Sequence, residues 1–397
     1  NNPSLRATEK LIEAAQENER SIRRWDDPVI RFGRVIAEKE MRRDDGDIVY
    51  EVEQKLPLFG KPEAARRVAE TETVIEQASA DLKFQLLRKE IAVTVFETAL
   101  AEETFRLAQR DLATLETLAA IAGQRYEVRT GSQLDLLRLQ NERAKRLQTL
   151  RMDGVALTNS RVKLNRLVGR SLSAAVPGLG LPSIGPKIDH TDELIAIALR
   201  AEPELKKMRR EIERADAQAE QTRRQRYPDI TVGVEARQYS GSGEFREGMA
   251  YVALNVPWGN RHRYDADYKR ERARQEALEL EVSYYELEVR NEVLQLTQRI
   301  EAIRQEALLY RDEIIPRTQL SLESARAAWE SNAGSLTDLL ESRRLLLDAE
   351  VMHARAVTQQ YQLLSELVLC CGLGDLGALD LIAQQTSSKS QFPNLKE

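Results

Sequence analysis

Few residues in this chain could do chemistry, and their spacing limits what that chemistry is. Asp338 and Glu341 stand three apart, so on a helix their carboxylates share one face. The matching stretch earlier in the chain carries Asp135 and Arg138, one carboxylate and one guanidinium. Ser132 and Ser335 precede Asp135 and Asp338 by three residues, so each pair also reads as a Ser-x-x-Asp capping box at a helix start. His190, His262 and His353 are scattered without ligand spacing and read as surface or half-buried side chains. Cys370 and Cys371 are neighbours in an apolar helix end and read as buried thiols. Gly178, Gly180 and Gly185 have no strand ahead of them, which argues against a phosphate loop. Neither a catalytic constellation nor a cofactor or metal site is expected.

The elements that carry these residues follow from composition and repetition. Of 397 residues, 31% are charged, 42% hydrophobic and 5% aromatic, a mix that favours long solvated helices over a compact α/β enzyme. Lys and Arg number 59 against 64 Asp and Glu, so no basic excess points to nucleic acid. Two adjacent cysteines exclude a disulfide scaffold. No apolar run reaches the roughly 18 residues of a transmembrane helix. No signal peptide is visible at Asn1-Asn2-Pro3-Ser4-Leu5.

The chain is one unit written twice. Asn2-Pro3-Ser4-Leu5 matches Glu202-Pro203-Glu204-Leu205, and Pro28, Gly33 and Pro57 match Pro228, Gly233 and Pro257, at a spacing of about 200 residues. Further on, Tyr126 pairs with Trp329, Asp135-Leu136-Leu137 with Asp338-Leu339-Leu340, and Gly169 with Gly372. Residues 1–169 form the first repeat, 170–189 a Pro- and Gly-rich connector, 190–372 the second repeat and 373–397 a C-terminal tail, polar and disordered from 385. Each repeat predicts a short helix (3–25, 203–226), two alternating segments (29–37 with 47–57, 229–238 with 248–257) and a long helix (61–128, 261–330). A tight turn and a return helix follow.

Two lengths carry weight. A helix of roughly 68 residues spans about 100 Å, and a short helix of about 24 stacked on a return helix of about 37 would match it. That is a wall of antiparallel helices, mixed in polarity and without the strict seam of a two-stranded coiled coil. The alternating segments run to about ten residues, long enough to cross a bilayer as tilted strands. In 47–57, Ile48, Tyr50, Val52, Gln54 and Leu56 share a face opposite Glu51, Glu53 and Lys55. An amphipathic hairpin packed on a helix has the same pattern. Four strands cannot close a barrel alone, so strands in a membrane require several chains.

In this order the parts resemble the outer-membrane efflux protein family, the TolC-like exit ducts of bacterial pumps. The resemblance rests on Asn2-Pro3-Ser4-Leu5, on Gln54-Lys55-Leu56-Pro57-Leu58-Phe59-Gly60-Lys61 and on Arg125-Tyr126-Glu127-Val128 with Leu134-Asp135-Leu136-Leu137-Arg138. Ile315-Pro316, Trp329, Leu336-Thr337-Asp338-Leu339-Leu340 and Leu164-Asn165-Arg166-Leu167-Val168-Gly169 extend it. Pro57-Leu58-Phe59-Gly60-Lys61 resembles the heavy-metal branch of the family more than the drug branch. The tip departs from the family pattern, with Arg129 and Asn332 where glycine is usual and Gly131 and Gly334 two residues later.

The resemblance implies a mainly α fold with a small β part: a homotrimer with a shared β-barrel of about twelve strands in outer-membrane lipid and a long helical barrel in the periplasm. It implies a passive duct, not an enzyme, for export of small toxic solutes, heavy-metal cations among them. Its partners would be a periplasmic adaptor and an inner-membrane pump. The turns Arg129-Thr130-Gly131-Ser132 and Asn332-Ala333-Gly334-Ser335 would dock the adaptor, and Asp338, Glu341 and Asp135 would form the periplasmic gate. The alternative is a soluble duplicated helical scaffold, which would have no use for two hairpins of membrane length.

Overall fold

The structure, a computed structural model, describes residues 2–22, 25–35 and 47–379. Its elements are α1 (Pro3–Ser21), β1 (Val29–Arg34), β2 (Asp47–Leu56), α2 (Lys61–Glu127) and α3 (Gln133–Val168), then α4 (Thr191–Ala201) and α5 (Pro203–Arg224). β3 (Ile230–Tyr239), β4 (Phe245–Leu254), α6 (Arg261–Leu309), α7 (Ile315–Glu330) and α8 (Leu336–Cys370) complete it. The fold is mainly helical with one small antiparallel sheet, and the helix–hairpin–helix–helix order occurs twice. Pro3 and Pro203 each open a helix, where a missing N–H costs nothing.

Several boundaries differ from the sequence pattern. The short helices end earlier, at Ser21 and Arg224, so with 19 and 36 residues α1 and α3 fall short of the 67 of α2. β4 begins at Phe245, three residues before the alternation suggests, and Phe245 pairs with Gln238 across a register shift at Arg237/Gln238. Residues 36 and 37 of the first alternating segment, and the tail from 380, lie outside the described residues. α4 is a helix that the sequence pattern does not announce. Its buried Leu194 and Ala198, four apart, supply the apolar face.

The helix expected over 261–330 keeps its path but not its hydrogen-bond ladder. Pro316 has no N–H, and its ring crowds the carbonyl four residues back. The chain responds upstream with a π-helical turn over Tyr310–Ile314, where the Ile315 N–H reaches the Tyr310 carbonyl.

The chain divides into two compact units, and each holds segments of both repeats. The unit of residues 7–80 and 204–285 carries the sheet. Its strands run in the order β1-β2-β3-β4, all antiparallel, so β2 and β3 join the two repeats. The register aligns Ile30 with Val52, Val52 with Val234 and Val234 with Ala250, which gathers the apolar residues on one face. Among the described residues, β1 and β4 each pair on one side only.

The other unit holds the hairpins and their returns. On α2, Ala108, Leu115 and Ala122 are buried seven apart with Leu118 between, and on α8 Leu336 and Leu339 are buried likewise. A seam of coiled-coil spacing therefore exists here, although the whole-helix pattern hides it. Asp111 and Arg343 occupy layers of these seams and are buried too. The connector packs rather than dangles. The Gly185 N–H donates to Gln360 Oε1 at 2.9 Å, Tyr361 OH to the Ser183 carbonyl at 3.0 Å and the Leu179 N–H to Glu102 at 2.9 Å. The end of each return helix is held within this unit. Asn2 Nδ2 donates to the Leu167 carbonyl at 2.8 Å, and a Cβ on Gly372 would lie 2.2 Å from the Ala201 carbonyl oxygen.

Candidate functional site

Both hairpin tips are built by the same backbone device. After α2, the Arg129 N–H donates to the Tyr126 carbonyl and the Thr130 N–H to the Arg125 carbonyl; after α7, the Asn332 N–H donates to Trp329 and the Ala333 N–H to Ala328. This is the Schellman helix ending, which requires a left-handed residue at its centre. Arg129 (φ 61°) and Asn332 (φ 60°) adopt it without being glycine. The turn is thus made where the family usually has glycine, at a conformational cost of roughly 1 kcal/mol for Arg. Gly131 and Gly334 serve a different need. A Cβ on either would sit 2.8 Å from the Cβ of Arg125 or Ala328 in the helix just ended.

The return helices start on serine caps. Ser132 Oγ accepts the Leu134 N–H at 3.2 Å and Ser335 Oγ accepts the Asp338 N–H at 3.1 Å. The serine half of each expected capping box is present. Among the described residues, neither aspartate carboxylate bonds back to its serine N–H. Asp338 and Glu341 are exposed, Asp135 half-buried, and none of the three has an ion pair among the described residues. Arg129, Thr130, Asn332 and Ala333 are exposed at the turns.

One core ties the two tips together. Leu115, Leu118, Ala122 and Leu139 of the first hairpin pack with Trp329, Leu336 and Leu339 of the second. Arg125 spans the seam: its guanidinium lies 4.8 Å from the Trp329 ring centroid and donates to the carbonyls of Trp329, at 3.0 Å, and Glu330. It caps α7 from outside. Higher up, Asp111 on α2 pairs with Arg343 on α8 and, at 2.8 Å, with Arg146 on α3. The second contact is an ion pair whose angle falls outside hydrogen-bond geometry. Sequence reasoning missed both features. Their signal is the loss of symmetry: the counterparts of Arg125, Asp111, Arg146 and Arg343 in the other repeat are Ala328, Ile314, Ala349 and Gln140.

The sheet forms a second polar assembly. Opposite its apolar face, Arg31 pairs with Glu51 at 3.0 Å and Glu53 at 2.8 Å, and Tyr251 OH donates to Glu51 at 2.5 Å. Tyr251 lies across Gly233, where a Cβ would come within 2.4 Å of its ring. The apolar face is bare. Ile30 is 75% exposed, Phe32 71%, Val234 59% and Val252 67%.

The remaining candidates sit apart. His190 precedes α4 without a side-chain cap bond, and His262 is exposed at the start of α6. His353 on α8 is half-buried, which pulls its pKa down, as does Arg311; Glu103 and Asp312 act the other way. Cys370 and Cys371 are buried free thiols. Among the described residues, no group of His, Cys, Asp and Glu could hold a metal ion.

Comparison with known proteins decides what these tips and this sheet belong to. The sequence profile of the outer membrane efflux proteins matches residues 1–170 and 194–373. The chain belongs to that family. It is therefore a channel protein rather than an enzyme. The outer-membrane channel OprN superposes with a TM-score of 0.80 at 16% identity, covering 94% of this chain and 88% of that one. The outer membrane protein VceC of Vibrio cholerae gives 0.76 at 16%, covering 94% of each chain. CusC, described for transmembrane channel formation, gives 0.78 at 14%, covering 94% and 90%. Comparison with curated proteins returned no match. Outer membrane efflux proteins work with periplasmic adaptors and inner-membrane pumps.

Proposed function

We propose that this efflux-family chain is a passive trimeric exit duct of a tripartite efflux pump or type I secretion system. It sits in the bacterial outer membrane and extends into the periplasm. The observation that carries the reading is the sheet: one bare apolar face, one face of paired charges, and outer strands paired on one side only. In hydrocarbon, open strand edges are prohibitively costly, so four strands per chain call for other copies to close the barrel. Three copies give about twelve strands, within the size range of membrane barrels. Exposed apolar residues on α6, Leu280, Tyr284, Leu287 and Leu294, supply a helical stripe for a neighbouring copy.

In this reading the hairpin tips dock the adaptor through Arg129 to Ser132 and Asn332 to Ser335, and Asp338, Glu341 and Asp135 form the gate. The cargo is small toxic solutes, heavy-metal cations included. Energy comes from the inner-membrane pump, and opening requires the tips to separate. Outer-membrane fractionation with native mass measurement tests the assembly. The expected result is a detergent-stable trimer in the outer membrane. A folded monomer, or a soluble species of other size, overturns it and favours the helical scaffold.

A further inference from the structure

The helix-proximal end of the sheet carries a feature that forming a pore does not require. Val252 and Leu254 share the apolar face of the edge strand, and Val256 and Trp258 follow just beyond it, Trp258 in a 3-10 turn over Pro257–Asn260; the four are 67%, 57%, 61% and 70% exposed. The stripe ends at Trp258, and Arg261 and Arg263 follow within five residues. Their side chains are 84% and 76% exposed, and their nearest carboxylates, Asp265 and Asp267, lie at 3.7 and 3.9 Å, the loose end of ion pairing. At the same end of β2 and β3, Tyr227 stacks on Phe59 at 5.4 Å, and the Arg226 guanidinium lies 5.3 Å from the Tyr227 ring.

Phe59 is held outward at a cost. It has a left-handed backbone (φ 62°), and its carbonyl accepts from Arg224 at 3.0 Å. Two of the carboxylates nearby are already engaged. Asp229 takes Lys61 at 2.6 Å and Lys55 at 3.4 Å, and Glu220 takes Arg223 and Arg224. Arg226 has no carboxylate partner among the described residues. At the opposite end of the strands, Arg237 is held by Glu235 and Glu247. Weakly paired cations thus lie beside exposed aromatic rings at this end of the sheet, while the opposite end also carries an exposed ring, Phe245, and Arg246 over Tyr239.

We propose that this end of the sheet binds the headgroups of anionic phospholipids, with Trp258, Phe59 and Tyr227 at the level of the glycerol backbone and Arg226, Arg261 and Arg263 on the phosphates. The proposal rests on the outer-membrane reading above and names the lipid that the reading leaves open. Aromatic rings with one apolar and one polar side suit the membrane–water boundary, and guanidinium groups pair phosphate in bidentate fashion. The charge is complementary to an anionic leaflet, and the apolar stripe supplies the adjoining acyl contact.

The test uses the detergent-purified full-length protein, titrated with short-chain phosphatidylglycerol or phosphatidylcholine and read by native mass spectrometry. Phosphatidylglycerol should be retained roughly tenfold more tightly, and the variant Arg226→Gln/Arg261→Gln/Arg263→Gln should lose the preference. A control with the same charge change on distant helices, Arg110→Gln/Arg143→Gln/Arg326→Gln, should keep it. Equal retention of both lipids by the parent, or an unchanged preference in the first variant, overturns the proposal. So does full competition by soluble glycerol phosphate at matched concentration, which would mark a free-phosphate site. A protein that retains neither lipid and does not enter vesicles at all would instead refute the membrane reading itself.

Discussion

The Arg125 guanidinium lies 4.8 Å from the centroid of the Trp329 ring while donating to the Trp329 carbonyl at 3.0 Å. One side chain of the first hairpin thus covers a ring and closes a helix end of the second. Arg125→Met keeps the apolar stem but removes both contacts. Local opening of the segment 328–334 should become easier by about 2 kcal/mol, read as faster amide exchange there. Exchange in α3 above the tip should not change.

Gly131 and Gly334 test the tip as a docking surface. A Val at either position drives its Cβ into Arg125 or Ala328 at 2.8 Å, so the turn must move. The double variant Gly131→Val/Gly334→Val should abolish efflux while the trimer still forms and inserts. Unchanged efflux would mean the adaptor does not read this turn.

The gate carboxylates are a separate matter. Three copies of Asp338 and Glu341 around a narrow axis would repel one another and concentrate cations. Planar-bilayer recording should show cation-selective conductance, blocked by polyvalent cations from the periplasmic side only. Asp338→Asn with Glu341→Gln should relieve the block and leave the trimer intact, since the Ser335 cap survives and Asn is tolerated at helix starts. Block as strong as in the parent would remove these residues from the gate.

Much of this fold was legible because duplication repeats its punctuation. Prolines at helix starts and glycines at helix ends recur in order, so the hairpins and the strand pairs could be placed from one chain. What stayed hidden was carried by geometry without a residue signature. Arg129 takes a left-handed backbone that sequence assigns to glycine, because the surrounding helix ends determine it. The π-helical turn follows from Pro316, which the pattern flagged only as a breaker. α4 went unread because it lies between a Pro-rich connector and Pro203. The gate and docking roles follow from the resemblance; the structure shows the turn geometry, with Asp338 and Glu341 exposed and Asp135 half-buried.

The charged layer at Asp111 makes an energetic prediction. Its three side chains are 7%, 10% and 15% exposed for Asp111, Arg343 and Arg146, so solvent screens them little. Asp111→Ala would leave the partly buried Arg146 guanidinium without its carboxylate and Arg343 with only Glu142 at 3.9 Å, and should cost about 3 kcal/mol by chemical denaturation. Replacing the whole layer with Asp111→Leu, Arg146→Met and Arg343→Met should leave stability equal or higher. If the single and triple variants lose stability alike, the layer is not compensated internally.

Burial pushes the Cys371 thiol up to about 12 from an ordinary value near 9, and raises Cys370 in the same direction, with Glu292 and Cys371 adding to it. A folded-state pKa above the unfolded one gives stability that is complete below pH 9 and lost as pH rises towards 12. At pH 8 iodoacetamide should label these thiols roughly a thousandfold more slowly in folded than in unfolded protein. Rapid labelling of the folded trimer would show that this helix end opens.

The half-paired outer strands β1 and β4 bear on how many ducts a cell can make. On the trimeric reading proposed above, a lone chain would have no stable inserted state, because its open edges would face hydrocarbon. Insertion and association then become one event, whose rate depends on a power of the protomer concentration. The number of working ducts should therefore rise more steeply than the amount of protein made. At low expression, chains would be lost to proteolysis before they find partners, so gene dosage would act as a threshold rather than a dial.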